Sequence, residues 1–345
     1  MVGSGADTFR HTRARLRRRS VVVTTLLGMA AAALAVVTMM VGDTALSAGE
    51  VLGSVLGFAD DAAVDFVVWE LRLPGAATAL FVGLALGAAG LIVQTLLANP
   101  LASPDLIGIS SGASLFAVTA IVLLPVGALA VAGAAVAGAV VAAVLIYVLA
   151  WRGGLTGYRF ILVGIGITQL MTALIGWVLA KADIGDARQA MTWLVGSVGQ
   201  AGSVQLQLLV GAVAVLLPVA LLSARALRVL QLGDDGARGL GIRVETARSA
   251  MIGVSVLLVA FSVAAAGPLT FVALTAGPIA VRLLRGSGTG VLAAAFVGAI
   301  IVLAADLLAA HALPVSLPTG VVTGAVGAPY LIWLLTRVNR EGRGG

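Results

Sequence analysis

The stretch ANPLASPDLIGISSGAS, residues 98–114, interrupts an apolar part of the chain with an Asn, an Asp, two Pro and several Ser and Gly. It lies where two apolar runs meet, at about 74–97 and 106–124. Each run is long enough, at about 1.5 Å per residue, to cross a ~30 Å hydrocarbon core. The polar stretch is therefore either an ordinary connecting loop or irregular backbone at membrane depth, where protein or water must satisfy its polar groups.

The composition places the chain in a broad class. Its 345 residues are 60% hydrophobic and only 10% charged, and the mean hydropathy is +1.12. Such values indicate a polytopic membrane protein and not a soluble globular domain. The absence of Cys excludes disulfides, thiolate metal sites and a Cys nucleophile. The net charge of +6 is better explained by membrane topology than by nucleic-acid binding.

Ten apolar runs predict an all-α membrane protein with ten transmembrane helices. The first run is about 21 residues, longer than the ~7–15 of a signal peptide, and predicts a retained helix. The eighth is the least regular, because Pro268, Gly277 and Pro278 interrupt it. The predicted organisation is a basic cytoplasmic tail (1–20), a transmembrane domain (21–335) and a cytoplasmic tail (336–345). The runs lie at about 21–41, 74–97, 106–124, 128–149, 160–180, 205–224, 249–266, 268–284, 290–309 and 319–335.

The basic residues predict the orientation. If the N-terminus is cytoplasmic and ten helices alternate in direction, only Arg72, Lys181 and Arg188 of the 21 Lys and Arg lie outside, which leaves 18 inside. This bias follows the positive-inside rule and places both termini in the cytoplasm.

A weak internal repeat divides the chain. Ala-Ala-Gly ends at Gly90 near the second helix end and at Gly267 near the seventh, and Pro100 and Pro278 follow at similar distances. Segments five helices apart run in opposite senses, so the pattern predicts inverted repeats of helices 2–5 and 7–10, as in many transporters. Chance recurrence in a chain rich in Ala and Gly is the alternative.

Five stretches of the chain carry a recognisable pattern: ELRLPG (70–75), GLALGAAGLIVQTLLANPLASPDLIGISSGAS (83–114), FVALTAGPIAVRLL (271–284), AADLLA (304–309) and LPTGVVTGAVGAPYLIWLL (317–335). Together they resemble the FecCD family of ABC importer permeases, which includes the vitamin B12, haem and ferric-siderophore permeases. The resemblance runs from about residue 45 onward and implies two permease subunits around a central path, two cytoplasmic ATPase subunits and an external binding protein. The chain contains no G-x4-G-K-[S/T] motif, so ATP and Mg are expected on the partner subunits and no cofactor on this one.

The resemblance implies a gate at the cytoplasmic mouth of the path. A Pro-terminated helix followed by a turn, with Asp105 or Ser110 capping the next helix, is the simpler alternative for the same stretch. The candidate gate and pathway residues are Gln94, Asn99, Pro100, Leu101, Gly277 and Pro278.

The longest internal cytoplasmic segment, 225–249, resembles the coupling loop that docks into the ATPase of the family. Its sequence predicts a helix, a Gly break and a second helix, with two Asp at a helix start, where carboxylates complement the helix dipole. A basic loop that binds no partner is the alternative. The candidate coupling residues are Asp234, Asp235, Arg238, Gly239, Leu240 and Gly241.

Arg72 matches the first Arg of the family's outer Arg-x-Pro-Arg element, and the resemblance implies that this element docks the binding protein. Gly75 stands where the second Arg of the element is expected. Such asymmetric docking charges predict a heterodimer with a second, different permease subunit.

The predicted function is the permease subunit of an ATP-driven importer in a bacterial cytoplasmic membrane, for a ferric siderophore, acting by alternating access. Cobalamin or haem import is the alternative within the class, and a secondary transporter coupled to protons through Asp306 is the alternative outside it. A structural hydrogen-bonding role for Asp306 is the other possibility. The sequence shows no cluster of catalytic or metal-ligating residues and predicts contact with lipids but not with nucleic acid.

Overall fold

The fold was analysed in a computed structural model that describes residues 3–42, 44–58, 61–105, 107–151, 157–312 and 314–341. Throughout these ranges the regular structure is helical. The helices are α1 (Gly3–Met40), α2 (Ala48–Val55), α3 (Ala62–Phe66), α4 (Leu73–Leu96), α5 (Ile109–Leu123), α6 (Ala128–Ala150), α7 (Gly157–Leu179), α8 (Ile184–Val195), α9 (Ser203–Leu222), α10 (Ala224–Leu230), α11 (Asp234–Gly239), α12 (Val244–Ala266), α13 (Val272–Leu284), α14 (Val291–His311) and α15 (Thr319–Glu341). A π-helical turn, Val67–Arg72, joins α3 to α4, and a 3₁₀ turn, Val198–Gln200, precedes α9.

Each predicted apolar run is a helix, so the all-α polytopic fold is confirmed. Among the described residues, seven helical segments are long and apolar enough to span a membrane, namely α1, the continuous segment Ala62–Leu96 (α3, the π-helical turn and α4), α6, α7, α9, α12 and α14. Shorter apolar helices account for the other three runs: α5, α13 and most of α15. The bundle has two ends, named here after the short helices that lie there. The α8 end carries α2, α3 and α8, and the α11 end carries α10 and α11.

Helix α4 lies at the centre of the bundle, packed against α12, α13 and α14. Glycines allow this close packing. A Cβ on Gly87 would lie 2.1 Å from the Ala294 oxygen of α14, and one on Gly90 would lie 1.9 Å from the Ala273 oxygen of α13. The helix backbones therefore meet directly, as small residues permit in membrane proteins.

The packing pattern follows the predicted repeat. Helix α4 packs against α13 and α14, while α12 packs against α5 and α6, and α5–α6 and α13–α14 are neighbouring pairs. In the predicted repeat, α4, α5 and α6 of helices 2–5 (α4–α7) correspond to α12, α13 and α14 of helices 7–10 (α12–α15). Each of these contacts in one half therefore has its equivalent in the other half. The two Ala-Ala-Gly motifs that suggested the repeat do not, however, occupy equivalent positions in the two helices. Gly90 lies inside α4, which continues to Leu96, whereas Gly267 follows the end of α12.

Three helix boundaries differ from the bounds of the predicted runs. Helix α1 begins at Gly3, so most of the basic segment 1–20 is helical and continuous with the first span. Helix α15 continues to Glu341, past the end of the predicted run at 335. The eighth helix begins at Val272, and Pro278 lies inside it without breaking it. The irregular backbone comes earlier, where Gly267 and Phe271 have φ of 70° and 67°.

The short helices at the α8 end were not predicted. Helix α2 begins at a capping box, in which the Ser47 hydroxyl accepts from the Glu50 N–H and the Glu50 carboxylate accepts from the Ser47 N–H. The Ser47 hydroxyl also donates to the Glu50 carboxylate at 2.7 Å. This hydrogen bond, together with the one from the Ser47 N–H, holds the pKa of Glu50 below its ordinary value of 4.5. The helix is anchored by the burial of Val51 and Ser54.

Candidate gate and coupling site

Gln94 of α4 makes a hydrogen bond to the backbone of α13 that compensates for Pro278. Proline has no N–H, so the carbonyl of Leu274, four residues earlier in α13, loses its donor within the helix. The side-chain amide of Gln94 on α4 donates to that carbonyl at 2.9 Å, and the contact is buried. Because a carbonyl oxygen only accepts hydrogen bonds, the Gln94 amide must point its nitrogen, and not its oxygen, toward α13.

Gly277 provides the space for this contact. A Cβ at Gly277 would lie 2.0 Å from the Gln94 Oε1. A side chain here would therefore displace Gln94 from the Leu274 carbonyl. Gln94, Gly277 and Pro278 thus form one structural unit across the α4–α13 contact.

The opening stretch ends α4 with a Schellman motif. The Asn99 N–H donates to the Gln94 carbonyl at 3.0 Å and the Ala98 N–H to Thr95 at 3.3 Å. Ala98 occupies the left-handed position, with φ of 47°, where glycine is usual. The Asn99 side chain accepts from the Leu101 N–H at 2.9 Å, and Pro100 prevents the helix from continuing. The simpler alternative, a Pro-terminated helix and a turn, thus describes the backbone.

The predicted capping of α5 by Asp105 or Ser110 is wrong. The N-cap is Gly108, with φ of 98° and no side-chain hydrogen bond to the helix. Asp105 instead accepts from the Ser110 hydroxyl and, at 3.4 Å, from Ser103. The Asp105 carboxylate therefore attaches the loop between α4 and α5 to the first turn of α5.

A cavity of 500 Å³ at the α11 end brings the gate candidates together. Asp234 at the start of α11 lines the same cavity. Leu101 is not part of the lining, so five of the six predicted gate residues meet there. The gate candidates in the lining are Gln94, Asn99, Pro100, Gly277 and Pro278.

The α10–α11 segment has the predicted form of two helices separated by a Gly break. Gly233, with φ of 87°, separates α10 from α11, and Gly241, with φ of 81°, follows α11. Asp234 of α11 forms an ion pair with Arg248 of α12, with 2.9 Å between Nη2 and Oδ1. Arg238 pairs with Asp235 at 3.0 Å on the exposed face.

The exposed face of the α10–α11 segment combines apolar and charged side chains. Leu240 is 63% exposed and Leu232 is 67% exposed, and the Asp235 side chain is fully exposed. Leu227 and Ala237 are buried beneath them. The segment therefore presents leucines and a carboxylate on its outer face, a composition suited to a protein partner.

Arg72, the predicted docking residue, binds the end of α1. Its guanidinium donates to the carbonyls of Met39 at 2.7 Å and Met40 at 3.3 Å, and to Thr44. These acceptors are backbone oxygens at and just after the end of α1, where a cation is favourable. Arg72 therefore has a structural role that the sequence did not predict.

Asp306 is held by a hydrogen bond from Thr319, whose hydroxyl donates to Oδ1 at 2.8 Å. The same hydroxyl accepts from the Val198 N–H at 3.4 Å. The carboxylate therefore connects α14 to the start of α15 and, through Thr319, to the turn before α9. This geometry is that of a structural hydrogen bond.

The FecCD transport family model matches residues 29–337. The chain belongs to the FecCD transport family. It is 37% identical to the ferric enterobactin transport system permease protein FepG of Escherichia coli over 325 residues, which cover 94% of this chain and 98% of FepG. It is 38% identical to the achromobactin transport system permease protein CbrC of Dickeya dadantii, over 88% of both chains.

Other relatives in the family differ in their cargo. The vitamin B12 import system permease protein BtuC of Serratia proteamaculans is 36% identical over 85% of this chain and 88% of its own length. A solved structure described as an inward-facing conformation of a metal-chelate type ABC transporter has the same fold, with a TM-score of 0.82. It is 23% identical and covers 91% of this chain and 99% of its own.

This FecCD chain is therefore the multi-pass, non-catalytic permease subunit of an ABC importer, which works with ATPase and binding-protein subunits. The proton-coupled alternative through Asp306 is replaced by this assignment.

Proposed function

We propose that the chain is one half of a heterodimeric ferric-siderophore permease, with both termini in the cytoplasm and ATP and Mg bound only by the partner ATPases. Substrate passes between the two permease subunits by alternating access. The α11 end faces the cytoplasm and carries the inner gate, formed by Gln94, Asn99, Pro100, Leu101, Gly277 and Pro278. Arg72 lies at the outer face and contributes to docking of the binding protein through the surface that it stabilises.

One observation carries the gate and coupling roles. The 500 Å³ cavity is lined both by the gate candidates and by Asp234 at the start of α11. The ion pair of Asp234 with Arg248 ties that short helix to α12, one of the most buried spans. A push on α11 would therefore act directly on the wall of the cavity.

The siderophore assignment is supported by the 37% identity to a ferric enterobactin permease over nearly the full length of both chains. The chain is 36% identical to a vitamin B12 import permease, so sequence identity does not distinguish the two cargoes and a measurement of uptake is needed. The permease would be reconstituted with its ATPase and binding protein, and uptake of iron-loaded siderophores, cobalamin and haem compared. Siderophore uptake no better than background would contradict the assignment.

The heterodimer has its own test. Affinity purification through a tag on this chain should recover a second, different permease polypeptide in equal amount. Recovery of a complex with this chain as its only permease would refute the heterodimer and leave the transport assignment intact.

Coupling through Asp234, Asp235, Arg238, Gly239, Leu240 and Gly241 is tested with two leucines of matched exposure. Leu240 at the α11 end is 63% exposed, and Leu56 at the α8 end is 64% exposed. We expect Leu240→Ala to lower uptake per ATP hydrolysed, because it removes an apolar contact with the ATPase. Leu56→Ala should not change this ratio. Equal ratios in both variants would argue against the coupling role.

A further inference from the structure

A second large cavity, of 530 Å³, lies at the α8 end, far from the gate. It lies among α8, the ends of α5 and α12, and the starts of α6 and α9. Arg188 and Thr192 lie four residues apart and therefore on one face of α8. The lining contains one cation and no carboxylate. Its polar side chains are Arg188, Gln189, Thr192, Gln200 and Gln205.

These polar groups have few partners in the protein. Within the described part of the chain Arg188 has no ion pair, although Asp183 and Asp186 lie on the same helix or at its start. The Thr192 hydroxyl donates to the Arg188 backbone carbonyl at 2.9 Å. The hydrogen bonds seen among the described residues do not include the Arg188 guanidinium. Donors thus remain available around a cavity of positive charge.

Two helix N-termini open at this cavity and add to its positive potential. Helix α6 begins after Gly127 and α9 after Gly202, and neither N-cap makes a side-chain hydrogen bond. Ala128 of α6 and Gln205 of α9, each in the first turn of its helix, line the cavity. The free N–H groups of a first helical turn and the helix dipole both favour an anion.

The polar cavity continues into an apolar cleft of 210 Å³ between α6 and α9, with α12 as its floor. The two share Gln205, Ala264 and Ala265. The cleft wall on α6 extends from Leu129 to Val136, about 10 Å along the helix axis. Leu129 is 54% exposed, on a helix that is long and apolar enough to span a membrane.

We propose that this composite site binds an anionic phospholipid, with the phosphate in the cavity beside Arg188 and an acyl chain in the α6–α9 cleft. The charge complements a phosphate, and Arg is well suited to phosphate recognition. The apolar cleft favours a lipid over a free anion, because a free anion has nothing to place there. The proposal does not rest on the siderophore assignment.

The proposal is tested by native mass spectrometry of the full-length permease in detergent, titrated with phosphatidylglycerol. The matched control is Lys181, a second cation at the α8 end, whose Nζ lies 4.7 Å from the Trp177 ring and outside the cavity lining. We expect Arg188→Gln to weaken phosphatidylglycerol binding about tenfold, as for loss of a hydrogen bond to a charged group. Lys181→Gln should leave it unchanged.

A second variant tests the cleft. A Cβ at Gly133 would meet nothing within 4 Å, so Gly133→Leu adds a side chain to the cleft without a clash at the backbone. It should also weaken phosphatidylglycerol binding, whereas glycerol 3-phosphate, the headgroup without chains, should compete poorly against the lipid with the unmodified protein.

Three results would overturn the proposal. Undiminished binding to Arg188→Gln would remove the phosphate contact. An equal loss with Lys181→Gln would show non-specific attraction of anionic lipid. Equal competition by glycerol 3-phosphate would make the occupant a free anion.

Discussion

Replacing Gln94 by Leu removes the donor that satisfies the Leu274 carbonyl while keeping the volume of the side chain. The carbonyl lies in a buried contact and, because of Pro278, has no donor within its own helix. A buried polar group without a partner costs about 1–3 kcal/mol, and hydrogen bonds between membrane helices reach about 1.7 kcal/mol. We therefore expect Gln94→Leu to lower the free energy of unfolding by about 1.5 kcal/mol.

The decisive measurement is a double-mutant cycle with Pro278→Ala. Alanine at 278 supplies an N–H to the Leu274 carbonyl, so Gln94→Leu should then cost less, and the coupling free energy should be about 1 kcal/mol. Equilibrium unfolding in SDS mixed micelles gives the four values. Pro218, inside α9, is the control proline. Equal costs of Gln94→Leu with Pro and with Ala at 278 would refute the reasoning.

Three further predictions concern stability. Ala98→Gly should stabilise the protein by about 0.5–1 kcal/mol in the same unfolding assay, because φ of 47° disfavours alanine; destabilisation would contradict this. Gly87→Ala should destabilise by about 1–3 kcal/mol through its clash with α14, while Gly211→Ala, with open space, should not. Because the pKa of Glu50 is lowered, the capping box of α2 should persist above pH 4.5 and be lost as the pH falls through the lowered pKa. Hydrogen exchange of the Glu50 amide measures this, and Ser47→Ala should abolish the pH dependence.

The spans could be predicted from the sequence because length and hydropathy are local properties. The break at Gly233 and the start of α11 at Asp234 were likewise predictable, since local backbone chemistry determines them. Pro278 was misinterpreted as a helix break for the opposite reason. The donor that replaces its missing N–H comes from Gln94, 180 residues away from the accepting carbonyl, and no local pattern reports such a partner.

The site at the α8 end was missed for a related reason. The sequence marked Arg188 only as one of three basic residues outside the positive-inside pattern. Its cavity is assembled from α8 and the ends of four other helices, which come from three separate parts of the chain. The weak repeat shows the same limit, because helix pairing follows it while the Ala-Ala-Gly motif that suggested it occupies different positions in α4 and α12.

Three polar contacts connect α11 to the gate in series. Asp234 pairs with Arg248 at the start of α12. Two turns further along α12, Ser255 donates to the Ala89 carbonyl of α4 at 3.1 Å, and Gln94 of α4 bonds to the backbone of α13. Directional bonds resist sliding between helices more than apolar contacts do, so a displacement of α11 would be transmitted along this series. Under the proposed coupling, Ser255→Ala should therefore lower uptake per ATP hydrolysed without changing the affinity for the binding protein. An unchanged ratio would show that apolar packing alone carries the motion.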